Sequence, residues 1–318
     1  MSILNYLLSS FSIGIIFLLG ATGEIVTEKV GHLNLGIPGV MSVGAAGGCV
    51  VLQLMYGHNI PGFIIVTVSL LACFISGGLM GLLYSFLTVS LHSNQNVTGL
   101  ALTTFGVGIT KFIMSRLTRI GAHEYLYALE YFRAPFSNMT NSLKYCGVMT
   151  FLALAVALYA SYFLYRTRSG LNLRAIGESA ATADAVGINV TAYKYIATVI
   201  GSGIAGLGGL YYIMDYAGSQ EAYLSIEALG WLSVALVIFS LWKPHICILG
   251  SFVFGLLYIA NAYASSILGI QLPMAMTPLI KLLPYVFTIV VLILTSIRKK
   301  RENQPPAGLG ITYFREER

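Results

Sequence analysis

Apolar stretches long enough to cross a bilayer, about 20 residues at 1.5 Å rise each, recur along nearly the whole of this 318-residue chain. A chain built this way cannot bury all of its apolar surface in one water-soluble core. Only 9% of its residues are charged and 57% are hydrophobic, against about 25% charge in a soluble domain. The fold class that follows is an all-α polytopic membrane protein. Candidate spans run over 4–22, 37–56, 61–83, 97–118, 145–165, 195–215, 228–242, 246–267 and 279–297, nine in all. The first, from Leu4 to Gly23, lacks a basic leader and a small-residue cleavage site, and is read as a retained span.

Nine spans place the two termini on opposite sides. Arg298, Lys299, Lys300 and Arg301 follow the last span directly, and basic residues of short loops stay on the cytoplasmic side. The C-terminus is therefore expected inside and the short, uncharged N-terminus outside. Counting back, 166–194 is also inside, with Arg166, Arg168, Arg174 and Lys194, while 216–227, with Glu221 and Glu227, is outside. The 119–144 segment, expected outside, carries Arg119, Arg133 and Lys144 and runs mildly against the bias. A single transmembrane domain over 1–297, with a cytoplasmic loop at 166–194, is followed by a basic cytoplasmic tail over 298–318. The net charge of +6 marks membrane sidedness here and not a nucleic-acid partner. Asp215 is expected at the external membrane boundary as a solvated carboxylate.

Glycine is used heavily inside the spans. "GAAGG" (44–48), "GGLMG" (77–81) and "GSGIAGLGG" (201–209) contain small-xxx-small spacings, which let helix backbones approach closely in lipid. The third also matches G-x-G-x-x-G at Gly201, Gly203 and Gly206, but that dinucleotide fingerprint requires a preceding strand and a soluble βαβ unit. A packing face is the better reading. No phosphate-binding P-loop, H-E-x-x-H or G-x-S-x-G occurs in the sequence, so no catalytic or metal site is assigned. Cys49, Cys73, Cys146 and Cys247 have no paired spacing and read as small core residues.

Two polar interruptions stand out. "GEIVTEKVGHLNLGIPGV" (23–40) separates the first two spans, either as an ordinary cytoplasmic loop or as a broken, re-entrant helix; "HSNQNVTG" (92–99) opens the fourth. Irregular polar backbone at membrane depth must be buried in protein or line an aqueous cavity, and paired interruptions point to a transport pathway. Asn34, Asn96, Thr98, Thr104 and Asn261 are the hydrogen-bonding side chains best placed to line a path for a neutral polar solute.

The loop over 166–189 reads "RTRSGLNLRAIGESAATADAVGIN". It divides into two short helical pieces joined near Gly177, the second beginning at Glu178 or Ser179 and closing on Gly187, a residue type suited to a helix C-terminus. Alanines at 180, 181, 183 and 185 keep the second piece narrow, fit to lie in a groove of another protein. An interfacial loop whose arginines meet lipid phosphate is the competing reading.

The pattern of Gly170, Arg174, Ala175, Gly177, Glu178, Ala183 and Gly187-Ile188 resembles the cytoplasmic coupling loop of ABC-importer permeases of the simple-sugar, nucleoside and branched-chain amino-acid family. Gly23-Glu24, the Leu33–Gly39 turn and the closing "PPAGLGITYFREER" resemble the nucleoside-type branch, so the likeness runs from about residue 4 to the C-terminus. One position departs. Pro38 stands where the family's turn often carries an acid, which leaves the solute less defined than the family.

The resemblance implies a multi-pass permease subunit of the bacterial inner membrane, importing a small polar solute, foremost a nucleoside, by alternating access. It implies a partner ATP-binding subunit that carries ATP and Mg, a second, related permease, an extracytoplasmic solute-binding lipoprotein, and no cofactor in this chain. Gly170, Arg174, Ala175, Gly177, Glu178, Ala181, Ala183 and Gly187 are the expected ATPase-coupling residues. A secondary transporter or channel is the alternative. Such a protein usually holds an ionisable pair at membrane depth, and Lys111 and Lys281 lie only near span ends.

Overall fold

The computed structural model describes residues 3–55, 58, 60–118, 147–268, 279–280, 282–298 and 304–314, with a few side chains among them, Asn261's included, outside the description. The 119–144 segment, Cys146 and Lys281 lie outside the described residues. Among the described residues eleven α-helices run as α1 (Ile3–Glu28), α2 (Ile37–Met55), α3 (Gly62–Ser85), α4 (Gln95–Thr118), α5 (Val148–Arg166), α6 (Arg168–Glu178), α7 (Ala180–Ala185), α8 (Val190–Tyr211), α9 (Ile226–Phe239), α10 (Pro244–Leu268) and α11 (Leu283–Arg298). A helix falls on each of the nine expected spans. Among the described residues seven helical stretches are long and apolar enough to cross a membrane, and α10 and α11 supply two shorter apolar runs, Pro244–Ala260 and Leu283–Leu294.

Helix α8 sits at the centre of the bundle, against α1, α2 and α3. Its glycines make this possible. A Cβ on Gly44 would lie 2.6 Å from the Gly206 Cα, and one on Gly77 would lie 2.7 Å from the Ser202 carbonyl oxygen. A Cβ on Gly206 itself would lie 3.3–3.4 Å from the Cys73 carbonyl oxygen and the Gly44 and Gly77 Cα atoms. Three helices thus cross backbone to backbone where each presents a glycine, the approach that small residues permit in lipid. The run "GSGIAGLGG" is a packing face, as its spacing suggests. Helix α4 packs by the same device, since a Cβ on Gly106 would meet the Gly39 carbonyl oxygen at 2.6 Å.

Helix α1 runs six residues beyond the expected span end at 22. Hydropathy cuts it there because Glu24 and Glu28 follow, yet both carboxylates are buried in protein and not in lipid. Glu24 Oε1 accepts from the Asn34 backbone N–H at 3.2 Å, and Glu28 accepts from the Trp242 indole N–H. Of the two readings of the link from α1 to α2, the structure shows a connecting loop and no re-entrant helix, and the loop is buried in protein. It is a tight turn over 29–36 in which Val30, His32 and Asn34 are fully enclosed. Asp215 also departs from expectation. It is 1% exposed and packs against Gly147, where a Cβ would collide with its carboxylate.

Candidate functional site

Five separate segments converge at one end of the bundle: the 29–36 turn, the 91–94 link into α4, the α6–α7 loop, the Trp242–Lys243 turn and residues 304–314. Each arrives there for a local reason. The α6–α7 loop is capped at three points by its own side chains. Thr167 Oγ1 accepts from Gly170 N at 3.0 Å, Ser179 Oγ from Thr182 N at 3.3 Å, and Asn189 Oδ1 from Ala192 N at 3.0 Å. These are standard helix N-caps, and they start α6, α7 and α8 in turn. Gly187, at φ +86°, stops α7, and Ile188 N donates back to the Ala183 carbonyl at 3.0 Å. A side chain at Gly187 would strain this left-handed turn.

The expected coupling residues separate into two layers. Gly170, Gly177 and Ala183 are buried. Gly170 lets α6 turn back tightly on α5, its missing Cβ lying 2.8 Å from the Leu164 Cα. Gly177 presses on the Lys29 backbone, and Ala183 holds α7 to the body of the protein. Ala175, Glu178, Ala181 and Gly187 are exposed. Arg174 is half-buried, with its guanidinium 4.9 Å from the Tyr165 ring centroid, a cation–π contact that fixes its direction. Leu171, Thr182, Ala185 and Val186 complete the outward face, and Leu171 and Val186 are 57% and 72% exposed. Sequence reasoning passed over Leu171, Thr182 and Val186, and noted Ala185 only for keeping the second piece narrow. The helical repeat was the available signal, because Leu171, Ala175 and Glu178 fall on one face of a 3.6-residue helix.

Behind this face lies a charged and polar layer. Burial lowers the Lys29 ammonium to about 8, with Glu178 drawing it up and Arg174 and Lys243 pushing it down. Burial, with the Lys194 charge nearby, holds His32 well below the ordinary histidine range. The neutral ring shares a 2.8 Å hydrogen bond between Nδ1 and the Thr198 hydroxyl. The loop therefore stands on groups fixed by hydrogen bonds to α8 and to the turn.

The expected pathway residues are scattered. Asn34 is enclosed in the turn, its Oδ1 accepting from Gly36 N at 2.9 Å. Thr98 is 7% exposed and hydrogen-bonds Ser93 Oγ at 2.8 Å. The polar run before α4 works as its N-cap, with Asn94 Oδ1 accepting from Asn96 N at 3.0 Å and Val97 N at 3.1 Å. Asn96 and Thr104 are exposed on α4, and Asn261 lies in α10 with its side chain outside the description. Thr104 shares the outward face of α4 with Ala101, Phe105, Gly108, Ile109 and Phe112, which line one shallow concavity. Phe105 and Phe112 are 52% and 62% exposed. Neither aromatic was singled out from the sequence, because in an apolar run an aromatic on an open face is indistinguishable from a core one.

The comparisons with known proteins agree over most of the chain. The family model described as "Branched-chain amino acid transport system / permease component" matches residues 6–295. The chain is 32% identical to the putative glucose ABC transporter permease protein TsgC13 of Haloferax volcanii, over 95% of this chain and 94% of that protein. It is 32% identical to the nucleoside ABC transporter permease protein NupC of Lactococcus lactis subsp. cremoris, covering 86% of each. To the guanosine ABC transporter permease protein NupQ of Bacillus subtilis it is 29% identical, over 95% of this chain and 93% of that one.

Proposed function

The chain belongs to the branched-chain amino acid transport system permease component family, and from that premise we propose that it is the membrane-spanning subunit of an ATP-driven importer for a neutral polar solute, foremost a nucleoside. The observation that carries the mechanism is the outward face of α6 and α7. Leu171, Ala175, Glu178, Ala181, Thr182, Ala185 and Val186 form a mostly small-residue surface. Its rear layer is locked to the bundle through Gly170, Gly177 and Ala183. A partner ATPase docks on such a face without unfolding anything. The sequence holds no phosphate-binding P-loop of its own, and on this reading the partner binds ATP and Mg and supplies the energy. Arg174 and Glu178 orient that contact electrostatically. The end that carries this face is the cytoplasmic one by the positive-inside bias, and the resemblance to the family implies a bacterial inner membrane.

The solute path is proposed along the open face of α4, between this chain and a second, related permease. Asn96 and Thr104 offer hydrogen bonds there, and Phe105 and Phe112 offer flat apolar faces. That combination suits a nucleobase joined to a sugar: aromatic rings stack on the base while polar groups meet the hydroxyls. The names of the relatives, which include glucose, nucleoside and guanosine transporters, favour uncharged hydroxylated solutes. An extracytoplasmic binding lipoprotein delivers the solute on this reading.

Uptake by the complete transporter tests the proposal. Cells expressing the chain with its ATPase, second permease and binding protein should import labelled guanosine, and unlabelled nucleosides should compete better than glucose. Depleting ATP should stop import, while collapsing the proton or sodium gradient at constant ATP should leave it. Import that follows an ion gradient and ignores ATP would instead identify a secondary transporter.

A further inference from the structure

Residues 304–314 do not trail away from the bundle as a free tail. The segment turns on itself after Pro306, with Leu309 N donating to the Pro306 carbonyl at 3.0 Å and Ile311 N to the Gly308 carbonyl at 3.2 Å. It then makes contacts with three elements that are far apart in sequence. Gly308 N donates to the Gly177 carbonyl at 2.8 Å, at the joint between α6 and α7. Gly310 N donates to the Gly31 carbonyl at 3.2 Å, in the turn between α1 and α2. The Tyr313 hydroxyl donates to Asp184 Oδ2 at 2.8 Å, inside α7. Phe314 stacks on His92 before α4, with ring centroids 4.7 Å apart and planes 13° from parallel.

Glycine makes the junction possible. A Cβ on Gly308 would lie 2.9 Å from the Gly177 carbonyl oxygen, and one on Gly31 would lie 3.2 Å from the Gly308 carbonyl oxygen. Gly31 and Gly310 hold φ values of +91° and +77°, which side-chain-bearing residues rarely adopt. Three separate segments therefore meet backbone to backbone. Gln95 closes the circuit with both ends of its amide. Its Oε1 accepts from Leu33 N at 2.8 Å, and its Nε2 donates to the Ile311 carbonyl at 3.4 Å. That side chain is 3% exposed, so these bonds do not compete with bulk water. The flanking Leu309 and Tyr313 pack on the core.

We propose that residues 304–314 form a strap that transmits movement of the docking loop to the α1–α2 turn and to the start of α4, with Tyr313 as a positioning residue for coupling. The inference rests on the reading of α6 and α7 as the ATPase-docking face. Helices α6 and α7 hang between α5 and α8. The strap adds direct bonds from their joint to the turn that joins α1 with α2, and to the first turn of α4, whose outer face is the proposed solute wall. Pulling the loop outward moves Gly177 and Asp184 together, and the strap draws the turn and Gln95 with them. Without it, the ATPase moves α6 and α7 and the motion is lost before it reaches α4.

The test uses the complete transporter in proteoliposomes, with solute imported per ATP hydrolysed as the readout. Tyr313→Phe removes one hydroxyl and keeps the ring; Gly308→Val pushes a side chain into the Gly177 carbonyl. Both variants are expected to retain the ATPase subunit and its hydrolysis, while import per ATP falls at least fivefold. A merely structural strap would lower the amount of complex and leave that ratio unchanged. An unchanged ratio in Tyr313→Phe, or loss of the ATPase from assembled Tyr313→Phe complex, overturns the proposal; if Gly308→Val assembles poorly, Tyr313→Phe decides alone. Absence of ATP-driven import in the wild-type complex would be a different result, overturning the docking reading itself.

Discussion

Gly206→Leu is expected to leave almost no assembled protein in the membrane. Gly206 lies where α8 crosses α2 and α3, with the Gly44 and Gly77 Cα atoms each 3.4 Å from where its Cβ would be. Those neighbours are backbone and have no rotamer to yield, so a leucine must drive whole helices apart. Overpacking a core costs about 1–3 kcal/mol where side chains can adjust, and this site sits at or above the top of that range. Gly206→Ala is the graded control: its single Cβ meets atoms at 3.3–3.4 Å, and a shift of a few tenths of an ångström accommodates it. Detergent-solubilised chain measured by size exclusion checks both, with the leucine variant aggregated or degraded and the alanine variant recovered. Full recovery and transport in the leucine variant would mean that α8 is not the centre of the bundle.

Ala181→Arg carries the second large effect, on association instead of folding. Ala181 is exposed on α7, so an arginine there can extend into solvent. On a narrow docking face the same side chain excludes the partner. Retention of the ATPase subunit should fall at least tenfold, a loss of about 1.4 kcal/mol or more, with the amount of inserted permease unchanged. Ala183→Leu, two residues on, should behave oppositely. Ala183 is 3% exposed and faces inward, so enlarging it should loosen α7 and lower the yield of folded chain. Pull-down of the ATPase, normalised to inserted permease, separates the two variants.

The sequence marks the helices well and their surroundings poorly. Every expected span coincides with a helix, because continuous apolar runs have one stable solution in lipid. The end of α1 was misplaced for the same reason: Glu24 and Glu28 read as loop to a hydropathy count, and only their partners Asn34 and Trp242, 10 and 214 residues away, keep them inside. Local chemistry was legible. Ser179 and Gly187 bound α7 as their residue types suggest, since caps act within a few residues. Orientation was not. Ala181 and Ala183 look alike in the sequence, yet one faces outward and the other is buried; Asn34 and Thr98 serve the turn and the α4 cap instead of an open face. The strap was least visible, because its partners Gly31, Gly177 and Asp184 lie 129 or more residues away, as for Tyr313 and Asp184. The resemblance supplied the tail's motif but not its place.

The central claim is that the outward face of α6 and α7 receives the ATPase on the cytoplasmic side. The most direct measurement is site-specific cross-linking from position 181 in the complete complex, with the four native cysteines replaced and a single cysteine carrying a short photoreactive probe. The account predicts a covalent adduct with the ATP-binding subunit from position 181 and none from a cysteine at 112, on the outer face of α4. It further predicts that added nucleotide changes the yield at 181. An adduct at 181 with lipid alone, or labelling of that cysteine by an impermeant reagent from outside intact cells, would contradict it.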